Sequence, residues 1–113
     1  MNPRLEEAYA SVGRGWRGLL DKYLPQIWAL DPDCELIIKQ KYGTLRIQPF
    51  KLSDGVSRNE FYAIAREAEK ASETVCEVCG EPGSLRTTDG WWLTTLCDQC
   101  FSGGRCTPIE DIE

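Results

Sequence analysis

The chain of 113 residues contains no histidine and a single methionine. Without imidazole there is no serine or cysteine hydrolase with a histidine base, and no metal site that needs histidine as a ligand. No apolar run approaches the roughly 20 residues of a membrane span. The start, Met1-Asn2-Pro3-Arg4-Leu5-Glu6-Glu7, lacks a basic stretch followed by an apolar one, so a signal peptide is not expected and the protein should be cytoplasmic. A phosphate-binding glycine loop is also missing, because Gly13, Gly15 and Gly18 sit between helical segments and do not follow a strand. Hydrophobic residues make up 42% of the chain, enough for one modest core. A core of this size is only marginally stable alone, and a structural metal would help it.

Cations are outnumbered, 13 against 18 acids, and unevenly placed. Residues 34–51 carry Lys39, Lys41, Arg46 and Lys51 against Glu35 alone, whereas residues 67–113 carry ten acids against Lys70, Arg86 and Arg105. The acidic last third repels a phosphate backbone, or simply keeps a small protein soluble.

Hydrophobic spacing predicts an α+β fold in two units, a helix–hairpin–helix domain over 1–73 and a ribbon module with an acidic tail over 74–113. Asn2-Pro3 suits a helix start, and a break is expected near Gly13-Gly15. Helical spacing resumes through Trp16, Leu19, Leu20, Tyr23, Leu24, Ile27 and Trp28, with Pro25 expected to interrupt and bend the helix. Segments 34–41 and 44–50 alternate as two strands around a tight Tyr42-Gly43 turn. Their apolar face, Leu36, Ile38, Leu45 and Ile47, is expected to pack on the preceding stripe and on Phe61 and Ile64. Ser57 followed by Glu60 has capping-box spacing for a helix ending near Ser72 or Glu73.

In the last third, Cys76-x₂-Cys79 and Cys97-x₂-Cys100 flank two short strands joined at Asp89-Gly90, a hairpin signal. Two cysteines with two residues between them wrap one tetrahedral ion, and the hairpin returns the second pair to the first, as in a zinc ribbon. Gly80 permits the turn that aims backbone N–H groups at the sulfurs. In a reducing compartment this pattern favours one structural Zn²⁺ per chain over disulfides or free buried thiols, with iron as the rival metal. Four protein ligands leave no position for water, so no catalytic metal is expected. Of the remaining cysteines, Cys34 is read as a small core residue and Cys106 as a substitute ligand at most.

Adjacent strand residues point to opposite faces, so one of Trp91 and Trp92 is expected inward and the other exposed, covering the helical domain or anchoring a partner. The basic hairpin offers a second candidate surface, with Lys39, Lys41 and Arg46 beside Tyr42 suited to nucleic acid, or forming an ordinary exposed strand face.

The order of Gly15-Trp16, the 41–46 run Lys-Tyr-Gly-Thr-Leu-Arg, an alanine- and glutamate-rich helix, the 74–83 run around Cys76 and Cys79, and the 90–100 run ending in Cys97-Asp98-Gln99-Cys100 resembles a group of small zinc-ribbon proteins encoded by tailed phages and prophages. The resemblance spans about Gly15 to Cys100. It implies a zinc-bearing accessory protein acting in the cytoplasm of a bacterial host, and no particular activity. Members of that group often carry Phe where this chain has Tyr42, and some carry histidine where it has Cys100. Three function classes follow. The first is a protein-binding factor, such as an inhibitor of a host nucleic-acid-handling defence complex (an anti-CRISPR or other anti-defence protein). The second is a nucleic-acid-binding or transcription-related ribbon, and the third an enzyme, for which no matched catalytic set exists in the sequence.

Overall fold

Proline tolerates the first position of a helix because its missing N–H would have no partner there. The first helix, α1, runs Pro3–Tyr9. The computed structural model describes residues 3–88 and 92–101. The expected break is a 3₁₀ turn, Arg14–Trp16, that feeds directly into α2, Arg17–Leu30. The apolar stripe is the core: Trp16, Leu20, Tyr23, Leu24 and Ile27 are buried. Helix α2 runs on through Pro25. The lost N–H bond is tolerated because Tyr23, Leu24 and Ile27, on both sides of the proline, are fixed in the core.

The end of α2 is closed by Asp31, whose buried carboxylate accepts the Ser53 N–H and hydroxyl, each at 2.8 Å, and the Asp33 N–H at 3.2 Å. The bond from the Ser53 N–H is the main cause of an Asp31 pKa held below the usual carboxylate value, against an opposing push from burial. Arg4 clamps α1 to the same corner. It donates to the carbonyls of Pro32 and Cys34, both at 2.7 Å, and its guanidinium lies over the Trp28 ring. Cys34 is buried in the core, as its place in the sequence predicts, and burial pushes its thiol pKa up.

Strands β1, Glu35–Lys41, and β2, Thr44–Lys51, form an antiparallel hairpin. Tyr42 and Gly43 both take positive φ, 54° and 82°, the signature of a two-residue type I′ turn. Alternation then sorts the faces. Leu45 and Ile47 are buried and Leu36 and Ile38 pack against the same core, while Glu35, Ile37, Lys39 and Lys41 point outward. Helix α3, Arg58–Ser72, starts on Ser57, whose hydroxyl accepts the Glu60 N–H at 3.2 Å. It packs on β2 and on α2, placing Phe61, Ala65 and Ala68 in the core. At its end the Ser72 hydroxyl accepts the edge N–H of Leu45 at 2.8 Å and donates to the Glu69 carbonyl at 2.6 Å. An edge group that would otherwise be buried without a partner is thereby satisfied.

The chain then makes a Val75–Pro82 bridge and a second antiparallel pair, β3, Ser84–Thr88, with β4, Trp92–Leu96. A single helical turn, α4, Asp98–Phe101, follows. The architecture is α+β, with helices, a hairpin, a helix and then the cysteine-bearing ribbon, in the order the sequence predicts. The Asp89-Gly90 turn, Trp91, Cys106 and the acidic tail lie outside the described residues, as does the side chain of Trp92. Among the described residues no helix is long and apolar enough to cross a membrane.

Candidate metal centre

Each cysteine pair is closed by a local turn. In the first, the Gly80 N–H returns to the Cys76 carbonyl at 2.8 Å, with Gly80 at φ 84°, a conformation a side chain would strain. In the second, α4 brings Cys100 back beside Cys97, and the Phe101 N–H bonds the Cys97 carbonyl at 3.0 Å. The Glu77 N–H donates to the Thr95 carbonyl at 3.0 Å and joins the two turns. Arg86, stacked over Phe101, donates to the Leu96 carbonyl at 3.1 Å and pairs with Asp98, bracing the second turn from outside.

The sulfurs of Cys76, Cys79, Cys97 and Cys100 all lie within 4.8 Å of one another. Cys76–Cys100 and Cys79–Cys97 are each separated by 3.7 Å between sulfurs. A tetrahedral ion at the usual Zn–S distance of about 2.3 Å sets its ligands about 3.8 Å apart. The four residues the sequence singles out are therefore the four the fold brings together, at a spacing that fits zinc. Around Cys76, burial raises the thiol pKa, but N–H donors from Cys79, Cys97 and Val78 outweigh it and the net shift is downward. Cys79 is pushed up to about 11, chiefly by burial and further by its bonds to Cys76 and Cys97. Packing several thiolates together is unfavourable until a cation sits among them.

Sequence reasoning missed how the ribbon is fastened to the core. The 3₁₀ turn lies directly on the first cysteine turn. The Gly15 N–H donates to the Glu77 carbonyl at 2.9 Å, and the indole N–H of buried Trp16 to the Val75 carbonyl at 2.9 Å. A Cβ on Gly15 would fall 2.0 Å from the Cys76 carbonyl oxygen and 2.6 Å from the Gly80 nitrogen. The Thr95 hydroxyl donates to the Gly43 carbonyl at 2.7 Å, and Gln40 to the Leu93 carbonyl at 2.9 Å, so the hairpin tip is held by β4. The sequence signal was present in Gly13-x-Gly15-Trp16, which helical periodicity reads only as a helix break.

The structure also places Lys39, Lys41 and Arg46 together. Lys39 and Arg46 are directly opposite across the hairpin and Lys41 is opposite Thr44, all on the outward face. No protein-family model, curated protein or solved structure matches the chain.

Proposed function

We propose that this chain is a non-enzymatic zinc-ribbon accessory protein that acts by binding a macromolecular partner. The observation that carries this reading is the cluster of four sulfurs within 4.8 Å of one another, with Cys76–Cys100 and Cys79–Cys97 each 3.7 Å apart. In the reduced chain these residues would hold zinc with no position left for water, so the ion supplies folding energy and not a nucleophile. Its effect is to fix the first cysteine turn, on which Gly15 and Trp16 are seated.

The partner is a basic protein surface of the kind found in a host nucleic-acid-handling defence complex, which makes the protein an anti-defence inhibitor, for example an anti-CRISPR. The acid surplus from residue 67 onward and the resemblance to phage-encoded ribbon proteins support this. A second reading, a nucleic-acid-binding ribbon, is favoured by the cross-strand clustering of Lys39 and Arg46.

Metal analysis and affinity capture test the proposal. Protein purified under reducing conditions without added zinc should carry about one zinc per chain. Immobilised zinc-loaded protein should retain a basic host protein complex, with retention falling as salt rises. A folded, metal-free ribbon would refute the zinc, and hydrolytic turnover by the purified chain would refute the non-enzymatic reading.

A further inference from the structure

Two features of the β1–β2 hairpin work against folding. Lys39 and Arg46 are directly opposite on one face, a placement unfavourable for like charges, and among the described residues only the Arg46 member has a counter-charge, Glu69. Tyr42 occupies a left-handed turn position, φ 54°, that favours asparagine, aspartate or glycine, and its ring is 65% exposed. Neither feature adds to the core. The same outward face carries further groups of the same kind. Lys41 precedes the tyrosine, with its ammonium 5.6 Å from the ring centroid, and Lys51 lies opposite Glu35. A bulge between Glu35 and Leu36 leaves Phe50 as the extra residue, 70% exposed, on the side shared by Arg46 and Gln48. Ile37, opposite Gln48, lies beside it at 41% exposure.

The face is therefore a strip with an exposed aromatic near each end, Lys39, Lys41 and Arg46 between them and Lys51 just beyond Phe50. At about 3.3 Å per strand residue, Tyr42 and Phe50 stand roughly 20 Å apart. Glu35 stands on the face opposite Lys51, and Glu69 lies 3.5 Å from the Arg46 guanidinium. Among the described residues no ion pair engages Lys39, Lys41 or Lys51. The tip does not depend on a ligand for its shape, because Thr95 and Gln40 already pin it to the ribbon.

We infer that the outward face of the β1–β2 hairpin binds single-stranded nucleic acid, with Tyr42 and Phe50 as stacking platforms for bases and Lys39, Lys41, Arg46 and Lys51 contacting phosphates. Charge complementarity selects a polyanion, and exposed aromatic faces select one whose bases are unstacked, because a duplex offers no free base face along its length. The inference rests on the reading of the chain as a binding protein without catalysis. It is compatible with a protein partner on the acidic side, since a nucleic-acid-handling complex presents both.

The test is fluorescence anisotropy of zinc-loaded full-length protein with labelled oligothymidylate, oligouridylate and a mixed-sequence duplex, each of about 12 nucleotides per strand. Both single strands should bind more tightly than the duplex, and a difference between them assigns DNA or RNA. With four phosphates neutralised, log K should fall with log salt at a slope of about −3. Tyr42→Ala and Phe50→Ala should each weaken binding by about 5-fold or more. The double change Lys39→Gln, Lys41→Gln should reduce the slope to about half. All these side chains are exposed, and melting with zinc stoichiometry checks that each variant folds.

An intact but unbound oligonucleotide overturns this inference alone, whereas a cleaved one overturns the non-enzymatic reading. Preference for the duplex, or binding indifferent to the four substitutions, also overturns it. So does capture of a protein, lost in Lys39→Gln, Lys41→Gln, by a chain that binds no oligonucleotide.

Discussion

Replacing Gly15 by alanine should detach the ribbon from the helical core. The added methyl would lie 2.0 Å from the carbonyl oxygen of Cys76, 2.6 Å from the nitrogen of Gly80 and 2.8 Å from the carbonyl carbon of Glu77. All three are backbone atoms of the first cysteine turn, so no side chain can swing aside. Relief requires the 3₁₀ turn to withdraw, which breaks the Gly15–Glu77 bond and displaces the Trp16 indole from Val75. Each lost bond is worth about 1 kcal/mol net, and each donor left buried costs about 1–3 kcal/mol. With repacking around Trp16, the loss is about 3–5 kcal/mol, a large part of the total stability of a domain this size. Thermal melting should show a fall of roughly 10 °C or more. Chelator competition should show zinc released more readily, because the strained atoms belong to the turn that holds Cys76 and Cys79. Gly18→Ala is the matched control. Nothing lies within 4 Å of its Cβ, and it sits in α2. It should be neutral or stabilise by up to about 1 kcal/mol. A Gly15→Ala protein that melts within about 2 °C of wild type would show that the Gly15–Cys76 approach does not fasten the ribbon to the core.

Removal of zinc by a chelator should raise hydrogen exchange at the Trp16 indole and the Gly15 amide as well as in the ribbon; exchange confined to residues 74–101 would show that the two units respond independently. The Asp31 carboxylate has a depressed pKa in the folded state, so its stabilising effect is present above the unfolded value near 4 and fades as pH falls through the folded value. Asp31→Asn should therefore lower the melting temperature at neutral pH, and the gap from wild type should close in acid; a gap unchanged with pH would rule out the charged carboxylate as its source. Ser57→Ala should cost about 1 kcal/mol through loss of the bond to the Glu60 N–H, measured by denaturant titration, and an unchanged midpoint would mean the cap contributes nothing.

The four-cysteine cluster was legible because tetrahedral coordination by paired thiolates would impose a local spacing, and Cys76, Cys79, Cys97 and Cys100 carry that spacing in the chain itself. The hairpin and the helices were legible for a related reason: alternation at Leu36, Ile38, Leu45 and Ile47, and 3.6-residue periodicity from Trp16 to Ile27, are short-range consequences of one buried face. Pro25 shows where local rules yield. Its propensity to interrupt is overridden by core residues on both sides, a cost that only packing can offset.

What the sequence could not disclose is contact between distant backbones. Gly13 and Gly15 look like helix breakers until the first cysteine turn is seen against them, and Trp16 looks like one more apolar stripe residue until its indole meets Val75, 59 positions away. Likewise, Lys39 and Arg46 are seven positions apart in the chain and become a single charged pair only through the register set by the Tyr42-Gly43 turn. Spacing along a chain determines which residues can share a face or an ion, because those relations repeat with the helix or strand period. Close approach between separate segments has no period, so only the tertiary structure decides it.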